Sequence, residues 1–219
     1  MMVNEIKKVL ELNKAAFDAV KNGYRRGMSE NDIKKLILSS VCGFEDFSGD
    51  IVSGMRSALI EGDATDYVPQ EGDTLILDLQ FKFGGVWSDN TRTFFIGEPS
   101  SQQRKAYELI KDALSAGERA LVCGNTAGKV YEAVREALAP HQLNFPHHAG
   151  HLFGKERVMQ PQLLPEKKDI LTENMAVCLE PGLYFENSFG IRLENNYLIT
   201  EHKALNLFDY TLEISDFIL

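Results

Sequence analysis

The stretch DLQFKFGGVWSDNTRT, Asp78 to Thr93, decides how this chain folds. It joins an apolar, branched run, TLILDLQF (Thr74 to Phe81), to a second run, TRTFFI (Thr91 to Ile96), through Gly84-Gly85. That pattern predicts a β-hairpin. With the turn centred on Phe83-Gly84, Asp78 and Asp89 fall directly opposite one another. Like charges so placed repel each other. Either one side chain turns to solvent, or the register differs, or a cation neutralises the pair. Asp78 directly follows Leu75-Ile76-Leu77, where a carboxylate is expected to be buried and therefore paired or metal-bound.

A second hairpin is predicted from AVCLEPGLYF (Ala176 to Phe185) and GIRLENNYLI (Gly190 to Ile199), with Glu180 and Glu194 each following a short apolar strand. Helices precede both hairpins. Leu10, Leu12, Ala16, Phe17 and Val20 recur at helical spacing between about Asn4 and Asn22. Ser29 with Asp32, and Ser100 with Gln103, read as capping boxes opening helices that run to about Leu38 and about Leu121. A fourth helix spans Thr126 to Leu138, while Gly43 to Asp73 reads as loops and short strands. The first helix of each half starts about 74 and about 78 residues before its hairpin carboxylate, which suggests two related halves sharing one sheet. Helices with hairpins, rather than crossover units, predict an α+β fold. The whole chain, 1-219, is expected to form a single domain.

The formal net charge of -9 argues against nonspecific binding to nucleic acid or an anionic membrane. Cys42, Cys123 and Cys178 are odd in number and widely spaced, so they read as buried thiols in a reducing compartment. No apolar signal core opens the chain, and the default location is cytoplasmic.

Four acids at the inner ends of four strands, Asp78, Asp89, Glu180 and Glu194, are an electrostatic problem without cations. Two divalent ions would balance them. His147, His148 and His151, three of the chain's five histidines, cluster in FPHHAGHLFG. A lone loop histidine is more often structural than a ligand. Beside four carboxylates, however, imidazole completes a donor set suited to Mn, Fe, Co or Zn.

DLQFKFGGVWSDNTRT, HHAGH, LEPGLY and GIRLEN together resemble the motifs of the methionine aminopeptidase, aminopeptidase P and prolidase family, the pita-bread metallopeptidases. EPGLY and SDNTRT look most like the Xaa-Pro peptidase branch. The resemblance implies the pita-bread fold, with a curved antiparallel sheet, and a dimetal hydrolase cleaving a peptide or small amide bond. It implies that Asp78 binds one metal and that His151 with Glu180 binds the other. Asp89 and Glu194 would bridge the pair, and a hydroxide between the ions would be the nucleophile. Glu180 would also move the proton, and His147 matches the family's auxiliary histidine. Arg192 matches a position near the substrate's carboxylate, and a structural ion pair is an equal reading.

The chain also departs from the family. Where the Xaa-Pro peptidases have SALPHG it has SALIEG, placing Glu61 at a histidine position, and Val158 (or Met159) stands at another. Neither can act as an imidazole, so His148 and Glu61 become the candidate substrate contacts beside Arg192. Gln80 stands where the family has glycine, which narrows the approach to the metals. The family's additional N-terminal domain is expected to be missing, and a homodimer would then complete the site rim. Three readings stay open: an active dimetal peptidase, a metal-retaining binding module without turnover, and creatinase-like C–N hydrolysis, which the full ligand set disfavours.

Overall fold

The computed structural model describes residues 2–141, 143 and 145–219. Helix α1 (Met2–Gly23) buries Ile6, Val9, Leu10, Phe17 and Val20. Leu12 is only half-buried; the inward position beside it belongs to Asn13, whose amide donates to the Leu79 carbonyl at 2.7 Å. Helix α2 (Glu30–Ser40) begins at the Ser29–Asp32 capping box, as expected. Strands β1 (Asp46–Ser53), β2 (Thr74–Phe83), β3 (Val86–Trp87) and β4 (Asn90–Phe95) form one antiparallel sheet with β2 between β1 and the other two.

In the second half α3 (Ser101–Ala120) opens on the Ser100–Gln103 box and α4 (Ala127–Leu138) on Thr126. Strands β5 (Gly150–Leu152), β6 (Met159–Gln162), β7 (Ala176–Leu179), β10 (Asn195–Ile199) and β11 (Ala204–Asn206) make a five-stranded sheet in the order β11-β10-β7-β5-β6. A two-stranded ribbon, β8 (Gly182–Phe185) and β9 (Phe189–Arg192), projects from it.

Three expectations need correction. The segment Gly43 to Asp73 contains an eight-residue strand, β1, paired along its whole length with β2. Its sequence, DFSGDIVS, lacks an apolar run because one face looks into a cleft. The second hairpin is split: β7 pairs with β10, β8 with β9, and the ladder breaks at Glu180-Pro181 on one strand and Leu193-Glu194 on the other. Proline has no N–H to give a ladder, which helps to end β7 there. Of the cysteines only Cys178 is buried; Cys42 is exposed and Cys123 intermediate.

The alternation along β2 positions everything that follows. Leu75, Leu77, Leu79 and Phe81 enter the hydrophobic core, which the helices share, while Asp78 and Gln80 line a cleft on the other side. The two sheets meet along β4 and the β9–β10 segment. Few ladder bonds cross this seam: Glu194 N–H donates to the Thr91 carbonyl at 3.1 Å, and side chains supply the rest. The Asn90 amide donates to Asn196 Oδ1 at 2.6 Å, and Thr93 Oγ1 to the Arg192 carbonyl at 2.8 Å.

Arg92 is the seam's central fastener. It is fully buried and donates to the carbonyls of Thr91 and Glu194 and to Asn90 Oδ1 and Asn195 Oδ1. Its guanidinium lies 4.9 Å from the Phe208 ring centroid. Replacing it with methionine keeps bulk but orphans several buried acceptors. Arg92→Met is therefore expected to lose about 3 kcal/mol or more in equilibrium denaturant unfolding. A loss below about 1 kcal/mol would show that the seam is held by other contacts.

Candidate metal centre

The register of the first hairpin differs from expectation. Phe83 pairs with Val86, so the two-residue turn is Gly84-Gly85, both at positive φ (60° and 72°). Such a turn needs two residues that tolerate this conformation, and the glycine pair supplies them. The pairing is thereby shifted by two: Asp78 lies opposite Thr91, not Asp89. A shift of two leaves every side chain on its original face, so both acids still reach the cleft. Asp89 sits in the break between β3 and β4, secured by Ser88, whose Oγ accepts from Phe81 N–H at 2.9 Å. Between the acids stands Gln80, whose amide donates to Asp78 Oδ1 at 3.0 Å and to Asp89 Oδ1 at 2.8 Å.

Glu180 and Glu194 occupy the breaks of the second hairpin. The pairings on either side, Leu179 with Asn195 and Gly182 with Arg192, share one register and so set the two acids level. Thr91 Oγ1 donates to Glu194 Oε2 at 2.9 Å, whereas the buried Glu194 Oε1 has no hydrogen-bond partner. His151 sits on strand β5, rather than on the loop expected from the sequence. Gly150 permits this: a methyl group there would lie 2.0 Å from the Cys178 carbonyl oxygen, so only glycine lets β5 lie against β7.

These elements bring the five expected donors together. Donor atoms of Asp78, Asp89 and Glu194 lie within 4.8 Å of one another, as do those of Asp89, His151 and Cys178, and those of Cys178, Glu180 and Glu194. A further group holds His147, His148 and Glu180. All five expected donors are at most 9% exposed. Asp78, Asp89, His151 and Glu180 line a cleft of about 960 Å³, and Glu194 is buried beside them.

The electrostatics are those of a buried acid cluster. Burial, opposed by His151 and reinforced by Asp89 and Asp78, pushes the Glu180 carboxyl up to about 8. Burial raises Asp89 and Glu194 as well, the latter well above the carboxylate range, with neighbouring acids adding to it. Burial lowers His151, but its bond to Asp89 and the charges of Glu180 and Asp89 outweigh that and carry it up to about 9. His151 Nδ1–H donates to the Leu152 carbonyl at 2.9 Å, which leaves Nε2, 3.4 Å from both Asp89 and Glu180, to face the cluster.

Around this core lie residues of two kinds. Arg192, which lines the cleft, donates to Asp78 Oδ2 at 2.7 Å, as an ion pair, and also to Tyr184 Oη at 2.8 Å. His147 Nδ1–H donates to the His148 carbonyl, and its Nε2 lies 3.0 Å from Tyr184 Oη. With Nδ1 as donor, Nε2 accepts, so Tyr184 is the donor of that bond. Burial, with Arg192 adding to it, brings His147 down to about 4. His148 falls to about 3, again chiefly through burial and then the neighbouring histidines; its Nδ1 is 3.5 Å from Glu180. Glu61 and Val158 both line the cleft and are exposed. Three lining or supporting residues escaped the sequence reading. Tyr184 is on the same face as Gly182 in the quoted EPGLY motif, and Cys178 precedes Glu180 by two. Asp50 lies opposite Asp78 on β1, where burial and that neighbour raise it to about 6.

Comparison with known proteins decides the family. Residues 4–201 match the model of metallopeptidase family M24. The chain belongs to that family. It is 32% identical over 195 residues to an Xaa-Pro dipeptidase of Pyrococcus furiosus, covering 88% of this chain and 56% of the relative. An uncharacterized peptidase of Bacillus subtilis is 32% identical over 207 residues, covering 90% and 59%. The X-Pro aminopeptidase structure of Thermotoga maritima superposes with TM-score 0.95 at 28% identity, over 100% of this chain and 62% of that one. The P. furiosus prolidase gives 0.90 at 30% identity, over 96% and 64%. The α+β pita-bread expectation therefore holds. The chain spans a little over half the length of these sequence relatives. No helix among the described residues is long and apolar enough to cross a membrane.

The cluster's protons predict a pH signature. Glu180 and His151 have folded-state values above their ordinary ones, so each stabilises the metal-free fold at low pH. That contribution is lost as pH rises through about 8 and about 9. The melting temperature of metal-free protein is thus expected to fall between pH 7 and 9, and divalent metal should suppress the fall. Parallel melting curves with and without metal across this window would refute the linkage.

Proposed function

We propose that this protein is a two-metal hydrolase that cleaves short peptides, with Xaa-Pro dipeptides as the first substrate class. The observation that carries the reading is the overlap of the donor groups. Asp89 belongs to one group with Asp78 and Glu194 and to another with His151, and Glu194 belongs to both the first group and one with Glu180. Two cations sharing Asp89 and Glu194 fit that arrangement, and the unpartnered Glu194 Oε1 is a donor site awaiting a cation. Oxygen donors with one imidazole suit Mn, Fe, Co or Zn. Names of the relatives, Xaa-Pro dipeptidase and X-Pro aminopeptidase, support the substrate class.

In this reading Asp78 would hold one ion, His151 and Glu180 would hold the other, and Asp89 and Glu194 would serve both. When bound, such a pair lowers the pKa of a coordinated water and polarises the scissile carbonyl. Glu180, beside the cluster and within reach of His148, would take and return the proton. Arg192 holds Asp78 in place and orients Tyr184. His147 receives the Tyr184 hydroxyl proton in a hydrogen bond and supports that phenol at the cleft wall. His148 stands beside Glu180, and Glu61 reaches the substrate at the cleft rim.

A second reading, a metal-retaining module without turnover, is favoured by the cleft's composition. Val158 and Glu61 line it without imidazole, and His147 Nε2 is engaged by Tyr184. Assays of Mn-, Co- and Zn-loaded protein on Xaa-Pro dipeptides and on N-terminal Met peptides separate the two. Turnover of Xaa-Pro substrates is expected, with Glu180→Gln reducing kcat by about two to four orders of magnitude. Absence of turnover with every metal at full occupancy would overturn the hydrolase and leave the module. In the same protein, Asp89→Asn is expected to lose at least one metal equivalent by elemental analysis, and unchanged stoichiometry would contradict its shared role.

A further inference from the structure

Cys178 lies on β7 two residues before Glu180, so its side chain leaves the strand on the same face as that carboxylate. It is fully buried, and the register sets it opposite His151 on β5. Its Sγ is 3.3 Å from His151 Nδ1 and 3.4 Å from Nε2. The thiol also donates to the His151 carbonyl at 3.4 Å, and a sulfur off the Nε2 lone pair could reach a shared cation only through Glu180 and Glu194. Glu180 Oε1 is 3.9 Å away. The sulfur is thus a member of two donor groups at once, one with Asp89 and His151 and one with Glu180 and Glu194. Glu194, 1% exposed and with Oε1 unpartnered, supplies the second of these with a free acceptor.

Oxygen and imidazole donors accept most first-row divalent ions, whereas a thiolate favours soft ones. We propose that Cys178 is a sixth donor of this centre and biases it toward thiophilic cations, zinc and cadmium, over manganese. The proposal rests on the metal-centre reading above and adds a selectivity that the other five donors do not provide. On capture the sulfur exchanges its proton for the cation, and the proton leaves to solvent.

The other two thiols also attract soft metals, so the test uses the full chain carrying Cys42→Ser and Cys123→Ser. Metal-free protein is titrated with cadmium chloride and, separately, manganese chloride. Calorimetry reads stoichiometry, and near-ultraviolet absorption reads the cadmium–thiolate charge transfer. A charge-transfer band saturating with occupancy is expected. Adding Cys178→Ser should abolish it and weaken cadmium binding by about tenfold or more while changing manganese binding little. Cadmium bound without the band, or a band surviving Cys178→Ser, would overturn the sulfur donor and leave the metal centre standing. Failure of both metals to bind would overturn the metal centre itself. If Cys178→Ser does not fold, cadmium NMR of the protein retaining Cys178 decides. A resonance in the sulfur-coordinated range supports the proposal, and one in the oxygen and nitrogen range overturns it.

Discussion

Everything in this molecule is arranged around the mutual repulsion of Asp78, Asp89, Glu180 and Glu194. Four carboxylates within a few ångströms, each at most 9% exposed, do not gather of their own accord. They are held by backbone whose stability comes from elsewhere. Leu75, Leu77, Leu79 and Phe81 pin β2 into the core, and Val177 and Leu179 do the same for β7. Each acid sits on such a strand or in a break of its ladder. The core fixes the acids, and protons or cations must then answer for their charge. Raised values at Glu180, Asp89 and Glu194 show the protonic answer.

The breaks explain why three of the four acids are not in regular strand. A residue in a continuous ladder points along one pleat normal, and acids on neighbouring strands reach only those across from them. At Ser88-Asp89, Glu180-Pro181 and Leu193-Glu194 the chain leaves the ladder, and the side chains converge from two sheets onto one volume. The seam between β4 and β9–β10 is laced with direct side-chain hydrogen bonds for the same reason. Arg92 and Asn196 donate to the Glu194 and Asp89 carbonyls, which lie in the interruptions, and the Asn90 amide braces Asn196.

Much of this was legible from residue pattern. The four helices and the capping boxes at Ser29 and Ser100 follow from local chemistry, which does not depend on distant partners. The five donors stood out because charged residues after apolar runs are rare. What failed was long-range or subtle. β1 has no apolar run, since Ser48 and Asp50 face the cleft, and its strand character comes from pairing with β2. The hairpin register turned on which two residues of Phe83-Gly84-Gly85 make the turn, and positive φ at both glycines settled it. Cys178 passed as an ordinary core thiol, because its closeness to His151 depends on the pairing of β5 with β7.

Charge balance shows why the missed residues matter as much as the expected ones. Two divalent ions against four carboxylates balance only if nothing else charged is present. Arg192 is present, buried and bonded to Asp78, and it would leave the loaded site one charge positive. Asp50 offsets it. Asp50 lies opposite Asp78 and feels both that carboxylate and Arg192, and at about 6 it is ionised at neutral pH. Five carboxylates and one guanidinium would then present a net charge of four minus to two divalent ions, before counting the thiolate that Cys178 would supply to a soft cation. His151 contributes nothing to that sum once a cation takes the place of its proton. The neutral His147 and His148 contribute nothing either, since burial holds both well below neutrality. In the two-metal reading, the match to divalent charge would thus depend on the Asp50–Asp78–Arg192 group as well as on the donors, and an acid on β1 with no place among the ligands would help to set it.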